Sequence, residues 1–164
     1  VYPVWNGGGT VKVVFCTSEF KPPSNEFVSR VQEILDPIPH HQQGVGVAPI
    51  GHFVTVTGVA EKAINIKAKI SVKSGFVLKD VKAKVVESIN AYLNELNHEW
   101  KNTQIVSTNE FTDTGLIVRV SKLESCILDV TGILDVEGLT VNGINRNLQL
   151  QVNELAKLGG LTYE

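Results

Sequence analysis

The chain has 164 residues, a formal net charge of −2 and 43% hydrophobic residues, which is the composition of a globular protein and not of a disordered one. No apolar run approaches the roughly 18 residues that a membrane-spanning helix needs. The near-neutral charge argues against a dedicated nucleic-acid-binding protein. The chain begins with Val1 and contains no methionine, so we expect a processed product or an N-terminally truncated part of a longer protein.

Residues 1–60 predict a first module with the order β-β-α-β. Residues 11–16 are β-branched and apolar, as in a buried strand, and the glycine-rich turn before them predicts a hairpin with residues 1–5. Ser24 follows two prolines and predicts the N-cap of a helix whose apolar residues recur at helical spacing. Residues 51–59 alternate in character and predict a third strand.

Residues 61–164 predict a second module with the order β-α-α-β-β. Residues 64–72 alternate between apolar and polar side chains, which predicts a strand with one buried and one exposed face. A long apolar stripe after them predicts the first helix. Ser121 and Glu124 match a capping box at the start of the second helix, and Gly138 predicts a bulge in the strand that follows.

Runs of strands beside a few helices indicate the α+β class, with mostly antiparallel sheets and with helices packed on one face. The two modules meet near residues 59–61. The polar segment 97–113 is predicted to be an insert, and its sequence indicates no role.

The four histidines do not predict a metal site. His40 and His41 are adjacent, so their side chains diverge, and no Cys, Asp or Glu lies at ligand spacing nearby. His52 and His98 are isolated in the sequence. We therefore expect solvent-facing histidines, and neither a metal nor a cofactor is predicted.

Cys16 and Cys126 are interpreted as two buried free thiols of a reducing compartment. Nothing in the local sequence predicts a lowered pKa for either thiol. The alternative function is a small enzyme or binding domain of ferredoxin-like architecture that uses Cys16 or a histidine as its reactive group.

A basic stretch of the chain holds seven lysines between Lys62 and Lys84. Lys67 and Lys69 share the exposed face of the predicted strand, and Lys73 follows them. The stretch is either a solvated face that discourages edge pairing or a contact surface for an acidic partner, with Lys67, Lys69 and Lys73 as the candidate contact residues. Nucleic acid is the less favoured partner because no aromatic residues interleave with the lysines.

Several stretches together resemble one known family. The segments VYPVWNGGGTVKVVFC, FKPPSNEFVSRVQEIL and GVAPIGHFVTVTG resemble the central region of baseplate J-like proteins. Residues 64–96 and the segments VRVSKLESCILDVTGILDVEGLTVNG and LAKLGGLTY resemble the C-terminal region of the same family.

The resemblance implies a structural subunit of the baseplate wedge in the contractile tail of a phage, of a defective prophage particle or of a related injection machine. It implies no catalytic residues and no small-molecule substrate. The implied partners are other wedge proteins and copies of the chain itself, with no membrane. The implied location is a virion or tail-like particle assembled in the bacterial cytoplasm.

Overall fold

The computed structural model describes residues 1–102 and 115–163 of the chain. The chain divides into two compact units, of which the first contains residues 1–60. The second contains, among the described residues, 61–102 and 115–163. Most of the segment predicted as an insert lies outside the described residues. Its first six residues complete a long helix and form the 3₁₀ turn that follows it.

The first unit is a three-stranded sheet with one helix. Its elements are β1 (Tyr2–Pro3), β2 (Thr10–Phe15), α1 (Asn25–Leu35) and β3 (Phe53–Gly58). The central strand, β2, pairs antiparallel with β1 and parallel with β3. The hairpin prediction is thus confirmed. The parallel pair departs from the mostly antiparallel expectation, because α1 and the loop after it form a crossover that returns the chain to the same end of the sheet.

Local sequence signals explain the helix and the core of this unit. The Oγ of Ser24 accepts a hydrogen bond from the Phe27 N–H at 3.2 Å, which confirms the predicted N-cap. The rings of Phe15 and Phe27 meet edge to face with centroids 5.5 Å apart. Val54 and Val56 are buried on one side of β3, as the alternation predicts.

The second unit combines a three-stranded sheet, a two-stranded ladder and two helices. Its elements are β4 (Ala60–Val72), α2 (Leu78–His98), a 3₁₀ turn (Glu99–Asn102), β5 (Ile117–Val118), α3 (Val120–Leu128), β6 (Ile133–Val141), β7 (Leu148–Gln149) and β8 (Glu154–Tyr163). The sheet order is β6-β4-β8, and β5 pairs with β7. The α+β class is confirmed. The predicted order has three strands where the structure has five. It lacks β5 and β7, because two residues are too short for a periodic pattern.

The core of this unit lies between β4 and the helices. Every second residue of β4 from Ile64 to Ile70 is buried, and α2 contributes a stripe at helical spacing. The buried side chains of the two elements are Ile64, Ile66, Ala68, Ile70, Val81, Val85, Ile89, Leu93 and Leu96. Both patterns confirm the sequence analysis.

The predicted bulge in β6 is also confirmed. Lys67 lies opposite Thr140 and Lys69 opposite Glu137, so that one extra residue of β6 is accommodated between the two pairs. Gly138 lies in this interval with φ +61°, a conformation that glycine adopts without steric cost.

The capping-box prediction for α3 is wrong. The helix begins at Val120, one residue before Ser121, and its N-cap makes no side-chain hydrogen bond. Its first free N–H is satisfied from elsewhere, because Val120 N–H donates to Asn147 Oδ1 at 3.1 Å. The preceding Arg119 N–H donates to the Tyr92 hydroxyl at 3.0 Å. Acceptors that are distant in sequence thus replace the local cap.

Candidate interaction surfaces

The three lysines singled out by the sequence lie along and just beyond β4. Lys67 and Lys69 occupy its exposed face, opposite the buried one, and Lys73 is exposed beyond the end of the strand. The backbone N–H of Lys73 donates to Gly132 O at 2.9 Å, which fixes the turn after β4.

Carboxylates offset part of the positive charge of this stretch. Lys69 Nζ lies 2.6 Å from Glu137 Oε2 across the β4–β6 pair. The hydrogen bond and the charge of Glu137 raise the pKa of Lys69, and those of Lys69 lower the pKa of Glu137. On the other side of β4, Lys157 pairs with Glu61 at 2.5 Å. Both pairs are largely exposed and contribute little to stability. Of the two, the Lys69–Glu137 pair reduces the field with which the basic stretch could attract an acidic partner.

The prediction of solvent-facing histidines is wrong for His41. Its Nδ1 lies 2.6 Å from Asp36 Oδ2, and its ring stacks on Phe53 with centroids 4.2 Å apart. The Asp36 carboxylate is 3% exposed, and a buried carboxylate needs hydrogen-bond donors close by. The other histidines are exposed: His40, His52 and His98.

Asp36 organises the loop that connects α1 to β3. Besides His41, its carboxylate accepts hydrogen bonds from Val54 N–H at 2.9 Å and from Gln42 N–H at 3.3 Å. Burial by itself would raise the pKa of the Asp36 carboxyl. The hydrogen bonds and the His41 side chain outweigh burial and hold that pKa below its ordinary value.

A second polar side chain that the sequence analysis did not identify, Gln32, bonds to the edge of β3. Its Nε2 donates to Val54 O at 3.0 Å and to Asp36 O at 2.7 Å, and its Oε1 accepts from Val56 N–H at 2.8 Å. One signal was available, because Gln32 lies four residues after Val28 on the apolar face of α1. A polar residue on such a face indicates a buried hydrogen-bond partner.

The two cysteines are free and half-buried. Burial raises the pKa of the Cys16 thiol and of the Cys126 thiol, and a raised pKa lowers the fraction of reactive thiolate. Cys126 borders a cleft of about 300 Å³ that Ser88 and Tyr92 also line. The raised pKa values therefore disfavour both thiols as nucleophiles.

Across residues 1–102 and 115–163, no group of three or more His, Cys, Asp or Glu side chains lies close enough to hold a metal ion. Within these ranges, each helix is too short or too polar to cross a membrane.

Two family models match the chain in sequence order. The baseplate J-like central domain matches residues 1–58, and the baseplate J-like protein C-terminal domain matches residues 64–164. The two matched segments correspond to the regions in which the sequence resembles this family.

Two curated proteins of Bacillus subtilis (strain 168) are similar over 159 residues, or 97% of the chain. They are the uncharacterized protein YqbT, at 29% identity, and the phage-like element PBSX protein XkdT, at 28% identity. The chain spans 41% of the length of each.

Among solved structures, the chain is similar to a component of the anti-feeding prophage (AFP) baseplate determined by cryo-electron microscopy. The similarity covers 93% of this chain and 29% of that one, with 13% identity and a TM-score of 0.41. The structural similarity is therefore distant. The family matches do not depend on it, and on those matches the chain belongs to the baseplate J-like protein family.

Proposed function

We propose that the chain forms part of a structural subunit in the baseplate of a phage tail or tail-like particle, and that it acts by assembly and not by catalysis. The observation that carries this proposal is the ordered pair of baseplate J-like domains over residues 1–58 and 64–164. The raised pKa values of both thiols support a non-catalytic role, because they disfavour the alternative enzyme that uses Cys16.

The proposed partners are other baseplate wedge proteins and further copies of the same subunit. The proposed location is a virion or tail-like particle that assembles in the bacterial cytoplasm. Residues 1–60 and 61–164 are proposed as two assembly modules. Lys67, Lys69 and Lys73 remain proposed contact residues, with Lys69 already engaged by Glu137.

The test is genetic deletion in a bacterium that produces the particle. The coding region for residues 61–164 is removed from the full-length gene, and particles are collected by sedimentation and viewed by negative-stain electron microscopy. We expect particles with complete baseplates to disappear and to return when the full-length gene is supplied in trans. Complete baseplates in the deletion strain would overturn the proposal.

A further inference from the structure

Asparagine followed directly by glycine occurs twice in the chain, at Asn6–Gly7 and at Asn142–Gly143. Asparagine is one of the thermally labile residues of proteins. Its side-chain amide reacts most readily when glycine follows, because glycine has no Cβ to obstruct the approach of its own backbone nitrogen. The sequence by itself therefore marks two equivalent sites, and the structure distinguishes them.

The reaction is an intramolecular deamidation that consumes only water. The backbone nitrogen of the glycine attacks Cγ of the asparagine and gives up its proton. The Cγ–Nδ2 bond breaks, and the amide nitrogen leaves with that proton as ammonia, so that a five-membered succinimide forms. Water then adds to either carbonyl carbon of the ring and opens it, which gives aspartate or isoaspartate. The net change replaces an NH₂ group by an OH group.

The side chain of Asn142 is held in place by two hydrogen bonds to β4. Its Oδ1 accepts from Asn65 N–H at 2.8 Å, and its Nδ2 donates to Ala63 O at 3.2 Å. The backbone N–H of Asn142 donates to Asn65 O at 2.8 Å as well. Because Cγ must approach the nitrogen of Gly143 for the attack, the side chain has to leave this arrangement first.

The turn that contains Asn142 is also closed by backbone hydrogen bonds. Val141 N–H donates to Ile144 O at 2.9 Å, and Ile144 N–H donates to Val141 O at 3.1 Å. Val141 itself is buried. Since these bonds restrain the peptide group between residues 142 and 143, the turn has to open locally before the reaction can occur, as it would for hydrogen exchange.

The side chain of Asn6 lies in a different environment, at the turn between β1 and β2. Within residues 1–102 and 115–163, its amide makes no hydrogen bond. Residues 6–9 are all exposed, and a Cβ added to Gly7 or to Gly8 would have no atom within 4 Å. The Asn6 amide can therefore rotate toward the nitrogen of Gly7 without breaking a bond to these parts of the chain.

The hydrogen bonds that shape this turn use other groups. Asn6 N–H donates to Thr10 Oγ1 at 3.0 Å, and Thr10 Oγ1 donates to Gly7 O at 2.7 Å. The Asn6 N–H and the Gly7 carbonyl both lie outside the peptide unit that joins Asn6 to Gly7. That unit is the one that must turn for the Gly7 nitrogen to reach Cγ. The two bonds therefore order the turn and leave the reacting groups unrestrained.

We propose that Asn6 is a site of spontaneous deamidation in the folded protein, and that the fold protects Asn142 from the same reaction. The product places a negative charge in the turn of the β1–β2 hairpin, and isoaspartate also adds one atom to the backbone there. Because β1 contains two residues, Tyr2–Pro3, a longer turn weakens a short strand pairing. This inference is independent of the proposed baseplate function.

The test follows deamidation in the full-length subunit, incubated at physiological temperature and neutral pH. Samples are digested with pepsin at low pH, where deamidation is slow, and peptide masses give the converted fraction at each asparagine. We expect Asn6 to convert at least about tenfold faster than Asn142. Asn6→Gln is the matched variant, because glutamine would have to form a larger ring, and it should abolish the fast conversion.

The same incubation in concentrated guanidinium chloride separates the effect of structure from that of sequence. There both dipeptides are unprotected, so the rates of Asn6 and Asn142 should agree within about threefold. Equal rates in the folded subunit would overturn the inference, and so would a difference of about tenfold that persists in denaturant. Conversion of Asn6 that is about tenfold slower in the folded subunit than in denaturant would overturn it as well.

Asn145 provides a control within the same chain. It is exposed like Asn6, but Arg146 follows it in place of a glycine. We expect Asn145 to convert much more slowly than Asn6 in the folded subunit. Conversion of both at one rate would show that exposure alone decides, and it would overturn the assignment of a single site to Asn6.

Discussion

The side chain of Asn97 exchanges two hydrogen bonds with the backbone of Ala156. Its Nδ2 donates to Ala156 O at 2.8 Å, and its Oδ1 accepts from Ala156 N–H at 2.8 Å. Both residues are buried, and Ala156 belongs to β8, an edge strand of its sheet. The amide of an α2 residue thus supplies the two bonds that a neighbouring strand would otherwise make.

Gln32 has the same role in the first unit. There an amide from α1 bonds to Val54 O and Val56 N–H on the edge strand β3. A sheet edge with satisfied backbone groups no longer offers a template for strand addition at those positions. Strand addition by another chain is therefore disfavoured at these two places.

Asn97→Ala is expected to destabilise the second unit by about 3 kcal/mol, because it leaves two buried backbone groups of Ala156 without partners. Asn94→Ala is the matched control, since Asn94 is exposed on the same helix, and about 0.5 kcal/mol or less is expected there. Urea unfolding followed by far-UV circular dichroism measures both. Equal stabilities of the two variants would show that the amide bonds contribute nothing.

Gln32→Leu is expected to expose the edge of β3 locally. The Val56 N–H loses its acceptor, so its hydrogen exchange should accelerate by roughly tenfold or more. The Val54 N–H keeps its bond to Asp36 and should change much less. Glu33→Gln, at an exposed neighbouring position, serves as the control. Similar acceleration at Val54 and Val56 would indicate general loosening of the unit and contradict the prediction.

Periodicity was sufficient to predict the elements that bury a complete face. The alternation in β4 and the apolar stripe of α2 are properties of consecutive residues, so a local pattern reports them. Periodicity could place Gln32 on the apolar face of α1, but it could not identify the partners of Gln32, Asp36 and Asn97, because each of these side chains bonds to a strand that is distant in sequence. The capping error at α3 has the same origin, since the distant Asn147 accepts the Val120 N–H where the local sequence predicts a cap by Ser121.

Acidification is expected to destabilise the first unit through Asp36. Its pKa is lowered in the folded state from the ordinary 3.8, so the unfolded chain binds more protons between the two pKa values. The contribution of Asp36 to the free energy of unfolding is complete above about pH 4. It is lost as the pH falls through the lower pKa that Asp36 has in the folded state.

The isosteric change Asp36→Asn tests that linkage, because an amide does not titrate. The variant is expected to be less stable than the parent at neutral pH and to lose less of its stability on acidification. Thermal unfolding between about pH 2 and pH 7 measures the difference, with Glu33→Gln as the exposed control. Parallel curves for Asp36→Asn and the parent would contradict the assignment of the acid transition to Asp36.

Gly132→Ala is expected to destabilise the second unit by about 2 kcal/mol, since Gly132 has a positive φ and contacts an aromatic ring. Its φ is +102°, and an added Cβ would lie 2.5 Å from Phe76 Cδ1. In Gly160→Ala the nearest atom, Asn65 Oδ1, lies 3.6 Å away, so this control should be nearly neutral. Urea unfolding measures the stability of both variants. Equal losses of stability would contradict the role assigned to Phe76.

Thiol labelling separates the assembly role from the alternative enzyme. Because burial raises the pKa of Cys16 and of Cys126, each thiol in the native chain at neutral pH should react at least about tenfold more slowly than in denaturant. The rates should rise with alkaline pH as thiolate forms. Single Cys→Ser variants assign each rate to its residue. Rapid labelling of Cys16 in the native chain at neutral pH would indicate an activated nucleophile. That result would support the alternative hypothesis of a small enzyme that uses Cys16.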